Sequence, residues 1–239
     1  SSAASDVYKR QFLALFGIFF LASVVPELSF QPGGILTEAA IRGQEGLLLA
    51  AVFCMVIGFG TKAGMFPLHG WLPTAHPVAP APASAVLSGI ITKSGVLALI
   101  RVVYFIVGPE WIRGTWVQNM WIFLTLFTVF MGSMLAYREP VLKKRLAYST
   151  VSQVSYVLFG LSLLEPTAFV GALSHVVFHS LIKNALFLVA GAIIVTTGWT
   201  RVEQMRGLGR SMPVTLACYT VVSLALVGIP PASGFVSKW

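Results

Sequence analysis

The sequence predicts an all-α, polytopic transmembrane bundle, and three observations carry that prediction. Of 239 residues, 56% are hydrophobic and only 10% are charged, against about 25% charged in an ordinary soluble domain. The mean hydropathy is +0.84. The apolar residues gather into long runs, most of them near the ~20 residues that cross a bilayer as a helix. Those runs are too long, and too uniform, for the ~10-residue alternating strands of a membrane barrel.

The same numbers exclude other classes. A soluble particle of this composition would expose large apolar patches and aggregate. A cytosolic enzyme, a nucleic-acid-binding module and a disordered chain are therefore ruled out. The formal net charge of +8 does not change this, because the bases are scattered between apolar runs rather than collected on one face. Cys54 and Cys218 both lie in apolar runs. Two cysteines cannot ligate an iron–sulfur cluster or a structural zinc alone, and both read as small buried hydrophobes.

About seven spans follow in order: 12–25, 46–71, 82–107, 117–137, 141–163, 167–197 and 213–239. The first is short. The connectors are brief and carry Gly, Pro or charge. Residues 1–11 (SSAASDVYKRQ) are polar, lack an initiator Met and read as a non-native tail. The chain stops at Lys238-Trp239, inside a helical pattern. Residues 12–239 are thus expected to be an internal fragment of one transmembrane domain, truncated at both ends.

Orientation follows from the distribution of Lys and Arg in the loops. Arg138, Lys143, Lys144 and Arg145 lie between spans four and five, and Arg201, Arg206 and Arg210 between spans six and seven. Both loops fall on one side, assigned as cytoplasmic. The opposite loops mix Arg42 and Arg113 with Glu27, Glu38, Glu45 and Glu110. Arg101, near the outer end of span three, is expected to snorkel to the interface.

The charges inside the spans are the informative ones. Every acid lies in a loop, at a span end or in the tail. Lys62, Lys93 and Lys183 do not: they fall well inside spans two, three and six. A lysine at the bilayer centre costs about 2.5–3.5 kcal/mol on insertion scales. One such residue could snorkel along a lipid-facing stem. Three on different helices point to a polar interior, with their side chains turned inward towards one another.

Span six adds to this. His175, His179 and Lys183 recur every four residues, which places them on one helical face about 6 Å apart per step. Ser180 and Asn184 broaden the stripe. A His pair at i and i+4 can bind zinc, but no acid or cysteine lies nearby in sequence and the adjacent lysine would repel a cation, so no metal site is expected. Imidazole and a desolvated amine both exchange protons near neutral pH, so the ladder suits proton transfer. Span five opens with Ser149, Thr150, Ser152, Gln153, Ser155 and Tyr156. These polar groups either bond across to neighbouring helices or line water, and both readings stand.

Two spans are interrupted. Gly60, Gly64 and Pro67 break span two, and Pro230, Pro231 and Gly234 break span seven, each close to a lysine, Lys62 or Lys238. A matched pair of Gly/Pro-broken spans is the sequence sign of an inverted-repeat transporter with its site near the midplane. The glycines from Gly58 to Gly64 are not a dinucleotide fingerprint, because their spacing is wrong and no strand precedes them.

Five stretches then occur together: GTKAGMFPLHGWLP (60–73), HPVAPAPASAVLSGIITKSG (76–95), LKKRLAYSTVSQ (142–153), HVVFHSLIKNALFLVAG (175–191) and GIPPASGFVSKW (228–239). In order and spacing the chain resembles the proton-translocating antiporter-like membrane subunits. These are the large membrane subunits of respiratory complex I, the Mrp-type sodium/proton antiporters, and the membrane subunits of energy-converting hydrogenases and formate hydrogenlyase. The resemblance implies that Lys62 is the central lysine of a first half-channel and that Lys93 connects the halves. It implies that His175, His179 and Lys183 form the ladder of the second half, and that Lys238 is the ionisable residue after the second break. It also implies a glutamate paired with Lys62, on a helix earlier than residue 12. The implied activity is proton translocation across an energy-transducing cell membrane, within a complex of other membrane subunits, with sodium as a further possible ion. No cofactor and no redox chemistry are implied for this chain. A free-standing secondary cation/proton transporter and a structural membrane scaffold are the competing classes.

Overall fold

The structure is a computed structural model that describes residues 2–25 and 29–238. Glu27, one of the acids assigned to an outer loop, lies outside the described residues, as does Trp239. Among the described residues, nine helices build the frame. They are α1 (Ser2–Val24), α2 (Glu45–Ala63), α3 (Trp71–Val78), α4 (Ala81–Val107), α5 (Trp116–Arg138), α6 (Leu142–Ser162), α7 (Pro166–Thr197), α8 (Pro213–Val227) and α9 (Ser233–Val236). Short helical turns link several of them. Among the described residues the only β feature is an isolated bridge between Val141 and Arg201.

Four helices, α2, α4, α5 and α7, are long and apolar enough to cross a membrane, and Phe12–Val24 and α8 are shorter apolar helices. Helix α6 is of similar length, with Lys143, Lys144 and Arg145 in its first turn. The sequence boundaries hold closely for spans three to six. Span two differs. It stops at Ala63, where Gly64 caps the helix in a left-handed conformation (φ +103°), and the chain restarts as α3, which runs past the expected end at residue 71 to Val78. Helix α1 begins at Ser2, inside the stretch set aside from the sequence.

The packing is that of a membrane bundle. On α5, Phe123, Leu126 and Phe130 face outward, whereas Thr125, Thr128 and Gly132 are buried. Small and polar residues inside, with large apolar ones outside, is the arrangement that lets helices approach closely when lipid removes the usual drive to bury hydrocarbon. At Gly132 a Cβ would come 3.0 Å from the backbone N of Ser152 on α6. Helix α7 packs against α6, α4 and α8, and so sits in the middle of one half of the bundle. Helix α8 buries none of its residues. This corrects the reading of Cys218: it is exposed, because α8 packs on one side only, while Cys54 is half-buried.

The two basic loops meet on one side. The amide of Leu142 donates to the Thr200 carbonyl at 2.9 Å, and that of Val202 to the Pro140 carbonyl at 2.9 Å. At the other end of α4, Gln31, Gly33 and Ile35 donate to the carbonyls of Phe105, Tyr104 and Ile106. Arg113 there bridges to Glu165 at 3.4 Å. The loop between spans four and five thus lies beside the loop between spans six and seven, and Arg113 lies beside Glu165. Arg101 is exposed and lies over the Phe30 ring, 5.6 Å from its centroid.

Candidate functional site

The long apolar helix α7 keeps one polar face, and that face is buried. His175 is 5% exposed, and His179 and Lys183 not at all. The His175 and His179 rings lie 5.8 Å apart, tilted by 28°, as the four-residue spacing requires. Each group is held by a different neighbour. His175 shares Nδ1 with Ser237 Oγ at 2.9 Å and Nε2 with Gln153 Oε1 at 3.1 Å. Lys183 Nζ donates to the Leu146 carbonyl at 3.0 Å and to Ser149 Oγ. Ser149 and Gln153 are themselves one turn apart, so α6 presents a matching polar face. Of the two readings of α6, the contacts bear out bonding across to neighbouring helices. Ser149 and Gln153 serve the ladder, whereas Thr150 bonds Ser88 at 2.8 Å and Ser152 bonds Ser133 at 2.8 Å, joining helices.

Lys93 reaches the same face from α4. It is 5% exposed. Its Nζ meets His179 Nδ1 at 2.9 Å and also donates to the Ser88 carbonyl. The local backbone explains that second bond. Residues Leu87–Ile91 form a π-helical turn, a wide turn that recurs at functional sites. The Ser88 carbonyl there also accepts the Thr92 hydroxyl at 3.0 Å. Gly89 faces Asn184 of α7 so closely that a Cβ would collide with it. The π turn had no signature in the sequence beyond that glycine.

Lys62 is placed differently. It is exposed, with no ion-pair partner among the described residues. Its stem nevertheless lies against α4: a Cβ built at Gly95 would come 3.1 Å from the Lys62 Cβ. The structure thus gathers Lys93, His175, His179 and Lys183 into one network and leaves the Lys62 ammonium outside it. Lys238 is also exposed and caps the C-terminal end of α8, donating to the Leu226 carbonyl at 2.8 Å and the Val227 carbonyl at 3.3 Å. It stands 5.7 Å from the Tyr156 ring centroid. Ser237, its chain neighbour, carries the contact to His175. Beside this end lies an open cavity of about 710 Å³, lined in part by His175, Ser237, Lys238 and Tyr156.

The Gly/Pro stretches sit where the helices stop. Gly64 amide bonds return to Gly60 and Thr61, and Gly60 lies against the Met65 side chain. The Phe66 amide is taken up by Thr128 Oγ1 at 3.1 Å and the Thr61 carbonyl by Trp71 Nε1 at 3.0 Å. Backbone groups freed by the stop thus find partners within the protein, as buried irregular chain requires. Pro67 is exposed in the link to α3. In the second stretch Gly228 caps α8 at φ +92°. Pro230 and Pro231 are exposed, and Gly234 is buried against the Ala225 carbonyl.

One buried residue was missed. His76 on α3 is fully buried, and its ring stacks on Phe187 of α7 at 4.5 Å and 11°. Neither ring nitrogen has a hydrogen-bond partner among the described residues. A lone histidine between prolines carries no periodic signal. No group of three or more His, Cys, Asp or Glu side chains gathers among the described residues.

Residues 10–239 match the family model described as NADH:quinone oxidoreductase/Mrp antiporter, TM. The chain belongs to this family. It is 36% identical over 228 residues to NADH-quinone oxidoreductase subunit N of Desulforudis audaxviator, which covers 94% of this chain and 44% of that protein. It is 38% identical over 242 residues to hydrogenase-4 component B of Escherichia coli, covering 92% of this chain and 36% of that one. Its fold matches a chain in the Mrp complex from Dietzia sp. DQ12-45-1b with a TM-score of 0.83 and 28% identity, over 98% of this chain and 42% of the other. The chain is therefore a multi-pass transmembrane domain of the antiporter family. It spans less than half the length of these curated relatives.

Proposed function

We propose that this antiporter-family domain carries protons across an energy-transducing cell membrane, as part of a complex with other membrane subunits of the respiratory, Mrp or hydrogenase kind. One observation carries the reading: Lys93 on α4 and His179 on α7 are joined at 2.9 Å in the buried interior, between His175 and Lys183 on the same face. Amine and imidazole can each hold or release a proton, and neighbouring groups of this kind repel when both are charged. In a medium of low dielectric that repulsion is strong. Charging one member therefore drives the proton of the next onward.

The finer architecture is part of the same proposal. Residues 12–239 belong to a single antiporter-like domain of about seven spans. The Gly64–Pro67 and Gly228–Gly234 stretches are its two helix breaks, related as an inverted repeat. Lys62 serves as the lysine of the first half. Its outward-facing ammonium is where the glutamate implied by the family resemblance would sit. Lys238 serves as the ionisable residue after the second break, beside the cavity at His175. Protons are the ions carried, with sodium a further candidate.

The test uses the full-length protein in its complex, in sealed vesicles with a pH-sensitive dye. Lys183→Gln is expected to reduce translocation at least tenfold while the complex assembles normally. Translocation at the unmodified rate by that variant would overturn the reading.

A further inference from the structure

The ladder on α7 has a fourth position. Counting on by four from Lys183 reaches Phe187, a residue with no proton to exchange. Its ring is covered by the His76 ring, 4.5 Å away and nearly parallel. Helix α3 thus supplies an imidazole where α7 has none. The site is enclosed: His76 and Phe187 are both fully buried. Burying an imidazole without hydrogen bonds leaves its polar nitrogens unsatisfied, which is costly. His76 leaves both ring nitrogens without protein partners, and stacking on Phe187 could be achieved by any aromatic ring.

The surroundings give a direction. Two lysines flank His76: Lys183 from α7, one turn before the Phe187 that stacks on the ring, and Lys143 from α6, bonded to the chain just after α3. Lys143 stands on the side of the basic loops. Its Nζ donates at 2.9 Å to the Ala79 carbonyl, which follows α3, and the Ser84 hydroxyl donates to the His76 carbonyl at 3.2 Å. Lys143 therefore marks the basic-loop end of the segment that holds His76, and Lys183, one turn before Phe187 on α7, lies deeper in the bundle.

We infer that His76 is a relay residue, through which Lys183 exchanges protons with the basic-loop side of the membrane. A neutral imidazole has one protonated and one free nitrogen. The free nitrogen accepts a proton from the basic-loop side. The opposite nitrogen releases its own towards Lys183 Nζ, and the ring is left neutral in its other tautomer. A half-turn of the ring about its Cβ–Cγ bond, which keeps its plane against Phe187, brings the protonated nitrogen back to its first side for the next proton. Phe187 holds the ring so that its edges, rather than its faces, are presented to the two sides.

This inference rests on the proposed function, and the experiment separates the two. His76→Phe keeps the ring stack and removes the exchangeable nitrogens. It is compared with Lys183→Gln in the full-length protein within its complex, in sealed vesicles. Translocation is followed between pH 6 and pH 9, with complex assembly and thermal midpoint measured alongside. His76→Phe is expected to keep assembly and midpoint, to reduce the rate about tenfold, and to flatten the pH profile. A merely structural role would leave the profile of the surviving activity unchanged. Should His76→Phe fail to assemble, His76→Gln is read in its place by the same criteria. If Lys183→Gln abolishes translocation while the His76 variant runs at the unmodified rate and profile, the relay is overturned and the function stands. If Lys183→Gln is itself normal, both fall.

Discussion

Lys93 Nζ and His179 Nδ1 lie 2.9 Å apart, joining α4 to α7 in the buried interior. They are 86 residues apart in the chain; Lys93 is otherwise bonded to Ser88 on its own helix, and His179 Nε2 has no hydrogen-bond partner among the described residues. In the proposed pathway the contact couples the two groups, so their replacement should not be additive. Lys93→Gln and His179→Gln are each expected to reduce translocation at least tenfold in vesicles. The double variant is expected to be little worse than either single one, as coupled neighbours behave in double-mutant cycles. Losses that multiply would show that the two act independently.

Gln153 fixes His175 by accepting at Nε2, while Ser237 meets Nδ1. Gln153→Leu removes one of these two anchors and keeps most of the volume. Translocation is expected to fall several-fold, with full assembly. Gln153→Glu, which retains the acceptor, is expected to recover more of the rate than Gln153→Leu. Equal rates in the two variants would show that the acceptor does not matter.

Gly95 brings α4 against α2. A Cβ there would come 2.6 Å from the Phe59 carbonyl oxygen and 2.8 Å from the Ala63 nitrogen, both backbone atoms that cannot swing aside. Gly95→Ala should therefore destabilise the domain by about 1–3 kcal/mol. Gly70, with nothing near its Cβ position, provides the control. Thermal unfolding of the purified complex is expected to show a lower midpoint for Gly95→Ala and an unchanged one for Gly70→Ala.

Glu139 opens the basic loop before α6. Burial raises its carboxyl, but the Lys144 bond, the Val141 amide and the charges of Lys144 and Arg145 outweigh that and hold it below its usual value. The distances are 2.9 Å to Lys144 Nζ and 3.2 Å to the Val141 amide. The ionised form is favoured in the folded state, so its contribution is present above the unfolded pKa of about 4 and is lost as pH falls below it. Glu139→Gln should cost about 1 kcal/mol or less at pH 7. The difference in midpoint between the two proteins is expected to close below about pH 4. A gap that persists at pH 3 would assign the effect to packing.

Much of this was legible in the sequence, for a reason particular to membranes. Apolar length marked the helices of spans three to six closely, and a lysine set deep in such a run stands out against it. The ladder on α7 could be read directly because its members share one helix. Lys93 was found by depth, but its partner could not be, because contacts between helices leave no local pattern. The π turn at Leu87–Ile91 and the stack of His76 on Phe187 were invisible for the same reason. Lys62 shows the limit from the other side: residue type and depth marked it, yet in the folded chain its stem lies against Gly95 while the residue is exposed, outside the network.

Helix α7 crosses the bundle along its length, whereas the Lys93–His179 contact runs sideways between two helices. The eight residues from His175 to Lys183 rise about 12 Å along the axis. In a hydrocarbon layer of about 30 Å, that is about two-fifths of the drop in membrane voltage. At 100 mV a charge moved along the ladder therefore does about 0.9 kcal/mol of electrical work, out of the ~2.3 kcal/mol for a full crossing. The sideways step does almost none. On the proposed pathway, voltage would thus brake or drive the passage along α7 and leave the exchange between the helices to local chemistry.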